Sequence, residues 1–154
     1  MYSDLHLHTT ASDGKNTPAE VVALAQQKGF SAIAITDHDT TSGIEEAIHA
    51  GTEYGLEIIP GIELSTIAGE REIHILGYYL DINSTILSEK LSQFIDARKN
   101  RAVKMVEKLN SLGVKISLPR VKEIVGTEFI GRPHIASALL KKGLAPEFEL
   151  MQTH

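Results

Sequence analysis

Short apolar runs alternate with amphipathic stretches through the first eighty residues, and most of these stretches open on a helix-start signal. This alternation constrains the fold more than any other feature. It is the pattern of parallel strands joined by helical crossovers, so the class is α/β. Residues 1–8 (MYSDLHLH) read as a strand. Thr17-Pro18-Ala19-Glu20 then supplies an N-cap, a proline at the first helical position and a capping-box glutamate, and Gly29 stops that helix. Phe30 to Thr36 (FSAIAIT) is a second strand, and Ser42 with Glu45 repeats the capping-box spacing ahead of a helix ending at Gly55. Leu56 to Ser65, interrupted at Pro60-Gly61, and Glu72 to Leu80 read as two more extended segments, joined as a hairpin through Ala68-Gly69.

After Asp81 the period becomes helical. Leu87, Leu91, Phe94, Ile95, Val103, Val106 and Leu109 place one long helix or two over residues 84–112. Shorter helices follow over Pro119 to Val125 and Pro133 to Lys142, the second closed by Gly143, with no further strand signal. The division between an α/β part and an all-helical part falls near residue 82, giving 1–82 and 83–154.

Composition narrows the chemistry. A chain of 154 residues, 42% hydrophobic, is long enough to bury a core, which excludes fibrous and wholly disordered readings. Its net charge of −5 argues against a chain coated in nucleic acid. With no Cys there is no disulfide, zinc finger or thiol nucleophile, so any metal would be held by His and carboxylate. No apolar run reaches membrane-spanning length, and the N-terminus runs into Tyr2-Ser3-Asp4 without a signal region, so the expected location is cytoplasmic.

Several polar residues then stand where a core strand would not place them. His6 and His8 share one face of the first strand because strand side chains alternate with a period of two. A divalent metal accepts two such imidazoles as neutral ligands; the alternative is an exposed strand face. Thr36-Asp37-His38-Asp39 follows the second apolar run, at the carboxyl end of a strand, where ligand sites of parallel α/β folds lie, together with the Asp13 loop. There, Asp37 or Asp39 would serve as a cap for the next helix. Glu63 and His74 each stand singly among Ile, Leu and Gly on the third and fourth segments. An unpaired ionised glutamate in an apolar strand raises its pKa or recruits a cation, unless it lies on an exposed face. Four strand-associated segments each delivering His or carboxylate point to a metal site.

These motifs resemble the PHP (polymerase and histidinol phosphatase) superfamily of metal-dependent phosphoesterases, and most of all its stand-alone nucleotide phosphatase branch. The resemblance rests on Asp4-Leu5-His6-Leu7-His8-Thr9-Thr10, Ser12-Asp13-Gly14, Thr36-Asp37-His38-Asp39, Pro60-Gly61-Ile62-Glu63, His74-Ile75-Leu76-Gly77 and Gly131-Arg132-Pro133-His134, in that order. It implies a partial, distorted (β/α)7 barrel over residues 1–82 with an all-helical insertion over 83–154. It also implies two or three Mn, Fe, Zn or Mg ions. His6 and His8 would hold one ion, Glu63 would bridge it to a second held also by His74, and Asp13 with His38 would hold a third.

Arg132 and His134 open the last helix, where a guanidinium fork and free helix-start N–H groups suit a phosphate; a surface Arg beside a first-turn His is the plain alternative. The resemblance favours phosphate contact; a nearby His or Asp would protonate the leaving group, with His134 a candidate donor. Arg98, Lys99 and Arg101 are explained by a solvated helix face, His49 by a surface position, and His154 as an inert terminal residue.

Members of that branch are close to twice this length. Their later half adds an Ala-His-Pro segment and a Ser-Asp-x-His segment that complete the ligand sets, and neither occurs here. The expectation is a truncated phosphoesterase whose open sheet edge favours a homodimer or strand exchange. The complete enzyme would hydrolyse 5′-nucleotides, 3′,5′-bisphosphates or short RNA ends by in-line attack of a water activated by the ions. The alternatives are a catalytically incompetent metal- or phosphate-binding fragment and a histidinol-phosphatase-like hydrolase.

Overall fold

The computed structural model describes residues 2–69, 71–126 and 129–141. Their elements run β1 (Tyr2–Leu7), α1 (Pro18–Gln27), β2 (Phe30–Ile35), α2 (Ile44–Tyr54), β3 (Glu57–Ala68), β4 (Arg71–Tyr78), α3 (Thr85–Ser111), α4 (Leu118–Val125) and α5 (Arg132–Lys141). The chain divides into two compact units, Met1–Ile95 and Asp96–His154, so α3 begins in the first and ends in the second. The expected Gly143 stop, Lys142 and His154 lie outside the described residues.

In the first unit, one mixed sheet has the order β1-β2-β3-β4. The β1/β2 and β2/β3 pairs are parallel and the β3/β4 pair is the expected hairpin, closing through Ala68 and Gly69, the latter at φ +64. Two helical crossovers make the parallel pairs possible. The apolar faces of α1 (Val22, Ala25) and α2 (Ile44, Ala47, Ala50) pack with Ile33 and Ile35 of β2 and with Leu56. Ile33 and Ile35 are fully buried, each contributing about 1.5–3 kcal/mol of transfer free energy.

The sheet is curled. Tyr78 on edge strand β4 donates its hydroxyl to Leu5 O on the opposite edge strand β1, at 2.9 Å. Four flat strands would hold these edges about 14 Å apart, further than a tyrosine reaches.

Two local expectations need correction. The capping box forms at α1, where Glu20 N donates to Thr17 Oγ1 at 3.2 Å and Thr17 N to Glu20 Oε2 at 2.8 Å. It does not form at α2, whose N-cap is Gly43 with no side-chain bond. Ser42 is instead tied to Thr40, accepting from its hydroxyl at 3.1 Å and donating its N–H to the same oxygen at 3.2 Å. Pro60-Gly61 does not interrupt the third strand either, because β3 exchanges partners there. Residues Glu57 to Pro60 pair with β2, and Gly61 to Ala68 with β4. Proline has no N–H to donate, so a change of partner is the place a strand tolerates it. A Cβ on Gly61 would stand 2.8 Å from the Thr36 side chain and 3.1 Å from Gly77 O.

In the second unit, the later part of α3 packs with α4 and α5 through Ala102, Val106, Ile116, Val121, Ile130, Ile135, Ala138 and Leu139. The long period resolves as one helix. Asn110 ties its C-terminal end to the next segment, donating to Val106 O and Ile116 O and accepting from Ile116 N. Ser117 caps α4, which ends at Gly126 in the left-handed conformation. Among the described residues no helix is long and apolar enough to cross a membrane.

Candidate metal centre

The first unit gathers four of its five histidines around one buried carboxylate. Alternation along β1 turns His6 and His8 to the same side, and each Nε2 lies 2.9 Å from Glu63 Oε2. The chain beyond β2 keeps pairing with β3 for one more step. Glu63 N donates to Asp37 O at 3.2 Å and Asp39 N to Glu63 O at 3.0 Å, which sets His38 beside Glu63 in a parallel bridge. His38 Nδ1 is 3.5 Å from Glu63 Oε2. His74 is the cross-strand partner of Ser65, on the face shared with Glu63, and its Nδ1 reaches Glu63 Oε1 at 2.6 Å. The rings form a continuous row, with centroids 5.1 Å apart for His6–His8, 4.6 Å for His8–His38 and 4.9 Å for His38–His74.

Asp13 extends the cluster from the loop after β1. Its Oδ1 is 3.5 Å from His8 Nδ1 and its Oδ2 3.7 Å from His38 Nε2. Gly14 lets this loop fold back on the strand end, since a Cβ there would fall 2.4 Å from His8 O.

The donor set suits divalent ions. Ligands about 2.1 Å from one ion stand roughly 3.0–3.4 Å from each other in octahedral or tetrahedral geometry. The separations quoted above run from 2.6 to 3.7 Å, spread on both sides of that range. Three overlapping groups have ligand atoms that all lie within 4.8 Å of one another: His6, His8 and Glu63; His8, Asp13 and His38; and His38, Glu63 and His74. All six residues singled out as ligands from sequence are thus brought together, with His8, His38 and Glu63 each shared by two groups.

Electrostatics agree with a cationic neighbourhood for Glu63. Burial pushes its carboxyl upward, but hydrogen bonds from His6 and His74 and the positive charge available on His38 and His6 outweigh this and hold it below its ordinary range.

The expectation that Asp37 or Asp39 caps α2 is not met. Asp37 accepts from Thr9 N and Thr9 Oγ1, both at 2.7 Å, and from Ser12 Oγ. Asp39, at φ +57, accepts from Ser65 N at 2.8 Å. Both carboxylates are buried and turn toward neighbouring segments of the same cluster. Sequence reasoning also passed over Glu72, whose Oε1 is 3.4 Å from His74 Nε2. The signal was its spacing, since residues two apart on a strand share a face.

Arg132 and His134 belong to the second unit, at the start of α5. Arg132 is exposed. His134 Nδ1 accepts from Gly131 N–H at 3.0 Å, which in the neutral ring leaves the proton on Nε2. Arg98 departs from the solvated-face expectation: it is 9% exposed and its guanidinium sits 4.6 Å over the Phe129 ring. Lys99 is exposed beside Asp96 and His49 beside Glu53, as expected of surface residues.

Comparison with known proteins bears on the same residues. The PHP domain profile matches residues 4–144. A 5′-3′ exoribonuclease of Haemophilus influenzae is 38% identical over 91% of the chain and 51% of its own length. A 3′,5′-nucleoside bisphosphate phosphatase of Chromobacterium violaceum is 33% identical over 91% of the chain and 50% of its own length. A crystal structure from Bifidobacterium adolescentis, described as a metal-dependent phosphoesterase, superposes with a TM-score of 0.83 at 36% identity, over 92% of this chain and 50% of that one. The chain spans about half the length of the curated relatives it matches. Six spaced motifs, a curled sheet that brings the ligand side chains of the first five together, and a profile match over nearly all of the sequence agree: this chain belongs to the PHP domain family.

Proposed function

We propose that this chain carries the metal site of a hydrolase that cleaves phosphate esters of nucleotides or short oligonucleotides. The substrate class covers 5′-nucleotides, 3′,5′-bisphosphates and short RNA ends. One observation carries the reading: four imidazoles and two carboxylates converge on three overlapping ligand groups, two of which share a buried glutamate. The names of the relatives, an exoribonuclease and a nucleoside bisphosphate phosphatase, support the substrate class.

In this reading His6, His8 and Glu63 hold one divalent ion. Glu63 with His74 would hold a second, and Asp13 with His38 a third, because a neutral imidazole has one ring nitrogen free to ligate. Manganese, iron, zinc or magnesium would lower the pKa of a water toward about 7 and offset charge on the phosphate. Glu63 offers one oxygen to each side, Oε2 toward His6 and His8 and Oε1 toward His74. On the second unit, Arg132 is the proposed phosphate contact, its fork suited to two oxygens at once. His134 is the proposed donor to the departing sugar oxygen, acting as imidazolium, a form in which its Nδ1 gives up the bond it accepts from Gly131 N in the neutral ring.

The test is phosphate release from a 5′-nucleotide, a 3′,5′-bisphosphate and a 5′-phosphorylated dinucleotide, with added Mn²⁺ and with chelator. Metal-dependent release that is lost in His8→Ala supports the proposal, and release that survives chelation contradicts it. Because the chain spans about half of its relatives, a second reading is a domain that binds metal or phosphate without turnover. It predicts bound metal and no phosphate release.

A further inference from the structure

We propose that Asp37 is a positioning residue that sets the spacing of the His8–Asp13–His38 ligand group by clamping Thr9 and Ser12, the chain neighbours of His8 and Asp13, from its own place beside His38. The inference rests on the metal reading above and goes beyond it, because Asp37 belongs to none of the three ligand groups.

The clamp is visible in its partners. Thr9 N–H and Ser12 Oγ–H donate to Asp37 Oδ1, and Thr9 Oγ1–H donates to Oδ2. Asp37, Thr9 and Ser12 are 1%, 0% and 1% exposed, so water does not compete for these bonds. Burying a carboxylate is costly unless donors surround it, and here every donor comes from one short loop. The expense therefore goes into holding that loop.

What the loop holds follows from the sequence. His8 immediately precedes Thr9, Asp13 immediately follows Ser12, and His38 immediately follows Asp37. One carboxylate thus fixes the residue next to each ligand of this group and next to none of His6, Glu63 and His74. The loop is braced internally by Ser12 N and Gly14 N, both donating to Thr9 O at 3.0 and 2.9 Å, and by Ala11 N donating to Thr9 Oγ1. Ser12 Oγ, held by Asp37, also stands 3.5 Å from the His8 ring at Nδ1.

The experiment is calorimetric titration of the full chain with Mn²⁺ and with Zn²⁺, for the wild type, Asp13→Asn, Asp37→Ala and Asp37→Asn, with the unfolding temperature of each metal-free protein. Asp37→Ala should resemble Asp13→Asn in weakening the ion at Asp13 most, by about 10- to 100-fold, and the ions that draw on His8 and His38 by a smaller factor. Asp37→Asn should restore binding to within a few-fold of wild type, because its amide oxygen still accepts from Thr9 N and Ser12 and its amide nitrogen donates to Thr9 Oγ1. Should Asp37→Ala fail to fold, Thr9→Val combined with Ser12→Ala removes the side-chain donors while keeping the carboxylate, and should weaken the same ion. Equal weakening of all ions, unchanged binding, or an asparagine variant as impaired as alanine would overturn the inference while leaving the metal site in place. A wild type that binds neither metal overturns both.

Discussion

The two units of the chain use their interiors differently. Among the described residues, the buried polar and charged side chains Thr9, Ser12, Thr36, Asp37, Asp39, Thr40 and Glu63 belong to the first unit, and Arg98 to the second. Beside its own apolar core, the first unit buries carboxylates and hydroxyls, with imidazoles ranged along their edge. The second builds its core from Ala, Val, Ile and Leu of three helices. A buried polar cluster costs stability unless its groups are satisfied, so its presence in one unit marks where chemistry is prepared. Arg98, flattened on Phe129, is a structural use of charge by contrast.

The sharpest way to separate the two is to mutate each centre. Glu63→Gln removes the charge shared by two ligand groups, and metal affinity measured by competition with a chelator should fall at least ~100-fold, a larger loss than for a partner behind the ligands. The same carboxyl gives a pH signature in metal-free protein. Its pKa lies below the ordinary 4.5, so the stability it contributes is present above the unfolded-state value and is lost as pH falls through the folded one. Thermal unfolding of the metal-free chain should therefore weaken below about pH 4.5, and less steeply in Glu63→Gln. Leu139→Ala in the second core should cost about 2–5 kcal/mol in denaturant unfolding, while the metal content of the folded protein stays at the wild-type level. A loss of metal in that variant would erase the contrast between the units.

Smaller effects test the helix starts. Thr17→Ala removes a formed capping box and should cost about 1 kcal/mol. Ser42→Ala, where the same motif spacing forms no box, should stay within about 0.5 kcal/mol of wild type.

That last pair shows what the sequence could and could not carry. Both capping motifs read alike, but Ser42 is claimed by Thr40 in the turn that follows Asp39, a local competition that spacing does not reveal. Pro60-Gly61 misled for a related reason: a proline signals the end of a ladder, and here β3 ends one ladder and begins another without leaving the strand. The strand–helix alternation was legible because apolar periodicity is local, and the six ligand candidates because polar residues in apolar strands are conspicuous. The clamps were not. Asp37 and Asp39 precede a helix and look like caps, and only the parallel pairing of β1, β2 and β3 shows that their partners lie at Thr9, Ser12 and Ser65, up to 28 residues away in sequence. Arg98 was misread in the same way, since its partner Phe129 lies beyond the helix that carries it.

The most direct test of the central claim is metal content per chain, by elemental analysis of protein purified without chelators, alongside Glu63→Gln and His8→Ala. The ligand geometry predicts at least one Mn, Fe or Zn per wild-type chain and a clear loss in both variants. A wild type without metal after reconstitution, or variants that keep the wild-type content, would contradict it.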